Sequence, residues 1–301
     1  METKNIIITG GAGFIGSNLA EALKDHNLTI IDNLHTGTEE NIRSAESGAT
    51  FKKMDVKDIG SQTGDFDSIY HLGFYSASPM YRDNPNLVSE VIAGMIAVLE
   101  FSVKNSSPLV FSSTSSIYNG IPVPHREDII PKVSDFYTEA RIASERLAGL
   151  YAKLHGVNVA AMRFFSVYGY HEKAKGGYAN LATQFLWEMM GDRSPVVYGD
   201  GTQRRDFVFV TDVVDALIKA SSIRGYDVFN VGYGKNYDLN ELVSKLNSLL
   251  GKNIAPKYIE MPVKNYVMET LADVSNASAK LGFRAKIDLD KGLRLIHDYY
   301  R

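Results

Sequence analysis

Tyr137 and Arg141 stand four residues apart in SDFYTEARIASERL, residues 134–147. A phenol with a pKa of about 10 is a poor base at neutral pH, and a fixed cation beside it favours the phenolate. Such a pair can take a proton from an alcohol. A hydroxyl from Thr114, in FSSTSSIYNG, can share that proton. The spacing alone decides little, because an i,i+4 pair on a helix face is also an ordinary surface contact worth about 0.2–0.5 kcal/mol. Ser and Thr clusters also suit turns. A cofactor and a pocket have to be found elsewhere in the chain.

The cofactor signal lies at the start. IIITGGAGFIGSNLAEAL reads as a buried strand, a glycine turn and a helix. Gly11, Gly13 and Gly16 fit G-x-G-x-x-G, and Gly10, Gly13 and Gly16 fit G-x-x-G-x-x-G. Both spacings permit a tight turn, close packing of helix on strand, and free N–H groups facing a pyrophosphate. Asp32 closes the second strand and is placed to accept hydrogen bonds from the adenosine ribose hydroxyls. A 2′-phosphate would meet that carboxylate, and DNLHTG offers no arginine, so NAD is favoured over NADP. Asp55, in KKMDVKD, can hold the adenine amino group or be a solvated loop acid.

These residues need a scaffold. Strand-like runs at 5–9, 28–32, 68–72, 108–113 and 157–165 alternate with amphipathic stretches near 14–25, 86–104 and 136–155. That rhythm predicts βαβ units and a parallel sheet covered on both faces: an α/β, Rossmann-type doubly wound fold. The rhythm breaks near 167, where YGYHEKAKGGY reads as a linker or loop. Helices are expected near 178–191, 211–222, 238–250 and 288–300. The expected division is a nucleotide-binding domain over 1–166, joined by parts of 207–232, with a smaller α/β substrate domain over most of 167–301.

Composition narrows the function classes. The 301 residues carry 32 basic and 35 acidic side chains, a net charge of −3 without blocks of like charge, so a nucleic-acid or membrane surface is not expected. Cys is absent, which excludes disulfides and thiolate metal sites and fits a reducing cytoplasm. The N-terminus lacks the pattern of a signal peptide. His71 and His125 have no partner at metal-ligand spacing, and no metal is expected.

TGGAGFIGSN, DNLHTG, HLGF, FSSTSSIY, YTEAR, RFFSVYG and GDGTQRRDFVFVTDVV follow in the order of the extended short-chain dehydrogenase/reductase family. Together they resemble its nucleotide-sugar 4-epimerases, of the UDP-glucose/UDP-galactose type, over nearly the whole chain. The resemblance implies transient oxidation of a sugar at C4 by tightly held NAD, with Tyr137 as base and acid. It implies that Thr114 binds O4 and relays the proton, with Ser116 as a second hydroxyl and Arg141 as the cation. Cofactor contacts are implied at Gly10, Gly13, Phe14, Ile15, Gly16, Asp32, Asn33, Thr36, Gly37, Asp55, Val56, Leu72, Gly73, Tyr137, Arg141 and Phe164. Substrate contacts are implied at Thr114, Ser166, Asn180, Leu181, Val196, Tyr198, Arg205 and Lys264, with Val197 beside them and Arg205 gripping the diphosphate. A homodimer built on the helices near 86–104 and 136–155 is implied as well.

The chain departs from the family pattern at several points. Arg141 replaces a lysine, and arginine is bulkier and more delocalised. Val91 and Ser166 stand at asparagine positions, Tyr170 at a proline and Val263 at an arginine. Thr114 is followed by Ser115 and Ser116 rather than the Asp-Glu of sugar-nucleotide dehydratases. The leading expectation is NAD-dependent 4-epimerisation of a UDP-sugar. The alternatives are a nucleotide-sugar oxidoreductase of the same fold, or a non-catalytic protein that binds NAD or a nucleotide sugar.

Overall fold

A computed structural model describes residues 2–43, 49–261 and 266–301. Its centre is a seven-stranded sheet. Six strands come from the first part of the chain: β1 (Asn5–Thr9), β2 (Asn27–Asp32), β3 (Ala49–Lys53), β4 (Ser68–His71), β5 (Leu109–Thr114) and β6 (Val159–Phe164). The order runs from the strand Tyr226–Val231 through β6, β5, β4, β1 and β2 to β3, every pair parallel. The chain starts at β1, winds outward to β3, then returns past β1 to β4. That reversal opens a crevice at the carboxyl ends of the strands, where ligands bind in open α/β sheets.

Alternation along the strands covers both faces. Ile6 and Ile8 of β1 pack with Leu19 and Ala20 of the helix α1 (Phe14–Ala22) and with Val213 and Leu217 of the helix Val210–Ala220. Ile7, between them, points the other way, into a cluster with Ile69, Phe111, Met95, Val98 and Leu99. The last three belong to the helix Leu87–Asn105, which lies beside the helix Phe136–His155.

Strand β3 and the seventh strand, Tyr226–Val231, are absent from the strand-like runs read off the sequence. β3 is ATFKK, an edge strand whose residues are all at least partly exposed, so it carries no apolar run. The tract from 181 onward builds a second core from Phe185, Leu186, Val197, Leu242, Leu246, Leu293 and Ile296. The helices Leu181–Met190, Leu239–Leu250 and Leu289–Tyr300 enclose it, each within three residues of its expected limits. No helix among the described residues is long and apolar enough to cross a membrane.

Candidate active site

A cleft of about 350 Å³ runs along the carboxyl ends of the strands and under the segment 166–180. At one end the chain leaves β1 and turns into α1. Gly10 has φ +69°, and a Cβ there would stand 2.5 Å from the Gly73 nitrogen on the neighbouring loop. A Cβ on Gly16 would lie 2.1 Å from the Gly10 carbonyl oxygen, so the helix could not close onto the turn. Gly13 caps α1 without a side chain, and no acid occupies the first turn. The N–H groups of this helix start therefore face the cleft without a side-chain acceptor, an arrangement that suits a phosphate.

Asp32, at the end of β2, accepts the Ala12 and Leu34 N–H groups at 3.0 and 2.7 Å. Burial pushes its carboxyl above the usual range, against those N–H donors. Asp32 itself lines the cleft. Asn33, Thr36, Gly37, Asp55, Val56, Leu72, Gly73, Phe14, Ile15 and Phe164 line the same cleft. Asp55 also caps the short turn Val56–Ser61, accepting the Lys57 N–H at 2.9 Å.

The hydroxyl cluster lies at the end of β5. Thr114 Oγ1 accepts the Ser116 N–H at 3.1 Å, which leaves its own hydrogen to donate into the cleft. Tyr137, Ser116 and Ser166 line the same cleft. Asp135 and Thr138 form a capping box that starts the helix one residue before Tyr137 and fixes where the phenol emerges. Tyr137 is buried and packs edge-on against Tyr81, with ring centroids 5.4 Å apart.

Arg141 occupies the expected helix face, but its guanidinium is embedded. It donates to the Ser112 and Tyr75 carbonyls at 3.1 and 3.0 Å and lies 4.1 Å from the Phe74 ring centroid and 5.1 Å from that of Tyr137. Its Nε and the Nε2 of His71 are buried without a partner. His71 is thus a cleft residue, paired through Nδ1 with Thr9 Oγ1 at 2.6 Å. Burial, and then the Arg141 charge, lower its pKa to about 3, so the ring is neutral. Among the described residues no group of three or more His, Asp or Glu could hold a metal ion.

Four implied substrate residues are not brought into the cleft wall. Leu181 packs against the second core, and Val196 is half exposed on a strand paired with Lys257–Ile259. Tyr198 meets Tyr266 edge-on at 6.0 Å. Arg205 is buried, its guanidinium donating to the carbonyls of Arg204 at 2.9 Å and Val267 at 2.5 Å, so those donors are not directed at a diphosphate. Lys264 and Val263 lie outside the described residues. Asn180 does line the cleft, but its Oδ1 caps the following helix at the Ala182 N–H, 2.9 Å away. Lys175 and Tyr178 also reach the cleft. Both sit in a tract that reads as a polar loop, and no sequence signal singles them out.

The glycine cradle, the carboxylate of Asp32 at the end of β2 and the unpartnered polar atoms at the far end fit a dinucleotide. Residues 6–232 match the NAD dependent epimerase/dehydratase family. A putative UDP-glucose 4-epimerase of Methanocaldococcus jannaschii is 30% identical, over 98% of this chain and 98% of that one. The UDP-N-acetylglucosamine 4-epimerase of Methanobrevibacter ruminantium, solved with UDP-N-acetylmuramic acid, is 28% identical with a TM-score of 0.92 over 99% of this chain and 100% of that one. The UDP-glucose 4-epimerase of Thermotoga maritima, solved with UDP-glucose, is 29% identical with a TM-score of 0.92, over 99% and 98%.

Proposed function

We propose a reaction from one premise: the chain belongs to the NAD-dependent epimerase/dehydratase family of nucleotide-sugar enzymes. The reaction is inversion at C4 of a UDP-sugar, with UDP-glucose and UDP-galactose as the first pair to test. The supporting observation is the convergence of Asp32 and the glycine cradle with Thr114 and Tyr137 along one cleft. Bound there, NAD supplies a hydride acceptor and donor. Gly10, Gly13, Gly16, Asp32, Thr36 and Asp55 are the residues that would hold it.

The chain's own groups then do the proton work. Thr114 orients the sugar hydroxyl, and Tyr137 takes its proton and returns it after the sugar presents its other face. Arg141 acts differently from the expected neighbour of the phenol. Its charge lies beside the Tyr137 ring while its hydrogen bonds tie the end of β5 to the Tyr75 loop. Ile96, Leu150 and Leu154 are exposed apolar residues on the two adjacent long helices, and they support a homodimer through that face.

The test is incubation of the purified protein, without added cofactor, with UDP-glucose, UDP-galactose and their N-acetyl forms, while absorbance is followed near 340 nm. The expected result is a 4-epimer with no net NADH. Lasting NADH formation would instead establish an oxidoreductase. Retained NAD with no conversion would support the binding-protein reading, which the embedded Arg141 guanidinium favours.

A further inference from the structure

The segment from Gly169 to Asn180 is clasped from inside. The Glu172 carboxylate accepts the Asn180 N–H at 2.6 Å, the Thr183 hydroxyl at 2.5 Å and the Gly169 N–H at 3.4 Å. From the other side, the Tyr300 hydroxyl accepts the Glu172 N–H at 2.9 Å and donates to the Gly169 carbonyl at 3.0 Å. His171, at φ +65°, pairs through Nδ1 with Ser17 Oγ of α1 at 2.8 Å. These contacts bring the segment over the start of α1, and with it the ammonium of Lys175, 5.4 Å from the Phe14 ring centroid.

Lys175 differs from the other cleft cations. Lys57 is paired with Glu90, and Arg141 has two donors engaged by backbone carbonyls. Lys175 forms no ion pair among the described residues; burial lowers its pKa, and the through-space pull of Glu172 opposes that shift. Its neighbour Phe14 opens α1, directly after the uncapped Gly13. A half-buried cation lining the same cleft as a helix start that lacks an acid is matched by an anion with several oxygens. The embedded Arg205 leaves that need unfilled elsewhere.

We propose that Lys175 is a binding residue for the diphosphate of a nucleotide held in the cleft, reaching α1 from the clasped segment. The diphosphate is either that of NAD or that of the sugar nucleotide. Only the second case rests on the proposed function.

The experiment compares Lys175→Met and Lys175→Arg with the parent protein, after thermal melts confirm that all three fold. UDP and uridine are titrated calorimetrically into the protein as purified, and NAD retained per chain is measured after extensive gel filtration. Lys175→Met is expected to weaken UDP binding or NAD retention about tenfold or more, the loss of one charge-assisted hydrogen bond, while Lys175→Arg keeps most of it. Added salt should narrow the difference. A loss confined to UDP, with uridine unchanged, assigns the sugar nucleotide, and a loss confined to NAD assigns the cofactor. Unchanged UDP binding and NAD retention in Lys175→Met would overturn the inference, as would an arginine variant no better than the methionine one. A parent protein that converts no UDP-sugar, yet shows the NAD loss in Lys175→Met, would defeat the proposed reaction and leave this inference standing.

Discussion

Tyr137 and Arg141 share a helix face but do different things, and their substitutions should separate. Tyr137→Phe removes only the hydroxyl, since the ring's packing against Tyr81 survives. We expect turnover to fall by about 10²–10⁴, the usual worth of a positioned acid–base group, with NAD retained on denaturation of the purified variant. Turnover equal to the parent's would remove the phenol from the mechanism. Arg141→Lys keeps a charge but cannot reach two carbonyls with a planar fork, so the Ser112 or Tyr75 oxygen loses its donor. The expected cost is about 1–3 kcal/mol of stability, read from denaturant midpoints, and a midpoint unchanged from the parent would contradict it. The position and charge of this residue were legible in the sequence. Its carbonyl partners were not, because they come from β5 and from the Tyr75 loop, neither of which the helix pattern can place.

At the scale of elements, legibility followed periodicity. The long helices emerge from their apolar spacing, and the Asp135 capping box marks the start of the one carrying Tyr137. The segment 169–180 lacked any such pattern, because what shapes it is a single buried carboxylate answered by Gly169, Asn180 and Thr183, with the Tyr300 hydroxyl holding the backbone on either side of it. Its departure from the family pattern at Tyr170 is absorbed by packing: the ring meets Phe209 at 5.3 Å and Tyr299 at 4.9 Å. Glu172→Gln tests the clasp. An amide has one acceptor oxygen where the carboxylate has two, so either the Asn180 N–H or the Thr183 and Gly169 donors, which share the other oxygen, lose their acceptor. We expect a loss of about 1–3 kcal/mol in stability together with weaker retention of nucleotide, since the segment carries cleft residues. Equal retention, with stability alone reduced, would show that the clasp does not set the cleft wall.

At the scale of the whole molecule, two buried groups give opposing pH dependences of stability. His71, buried between β1 and the Phe74 ring, is held to a pKa of about 3, against 6.5 for the ordinary ring. Between those values the unfolded chain binds the extra proton, so His71 destabilises the fold as pH falls from about 6.5, with a slope of at most about 1.4 kcal/mol per pH unit. Asp206 accepts three backbone N–H groups from Tyr233, Gly234 and Ala272, yet burial pushes it up to about 6. Here the folded state binds the extra proton between 3.8 and 6, so this group costs stability above that window and releases the cost as pH falls through it. The sum hides both. The difference between parent and His71→Asn isolates the histidine, because Asp206 is common to the two. We expect that difference, from urea unfolding at pH 7 and pH 5, to shrink at the lower pH, since only the parent has a ring to protonate on unfolding. A difference that is the same at both values would mean that His71 takes up its proton in the folded protein. In that case the far end of the cleft would be hydrated rather than dry, and the orphan Nε2 would have found a water.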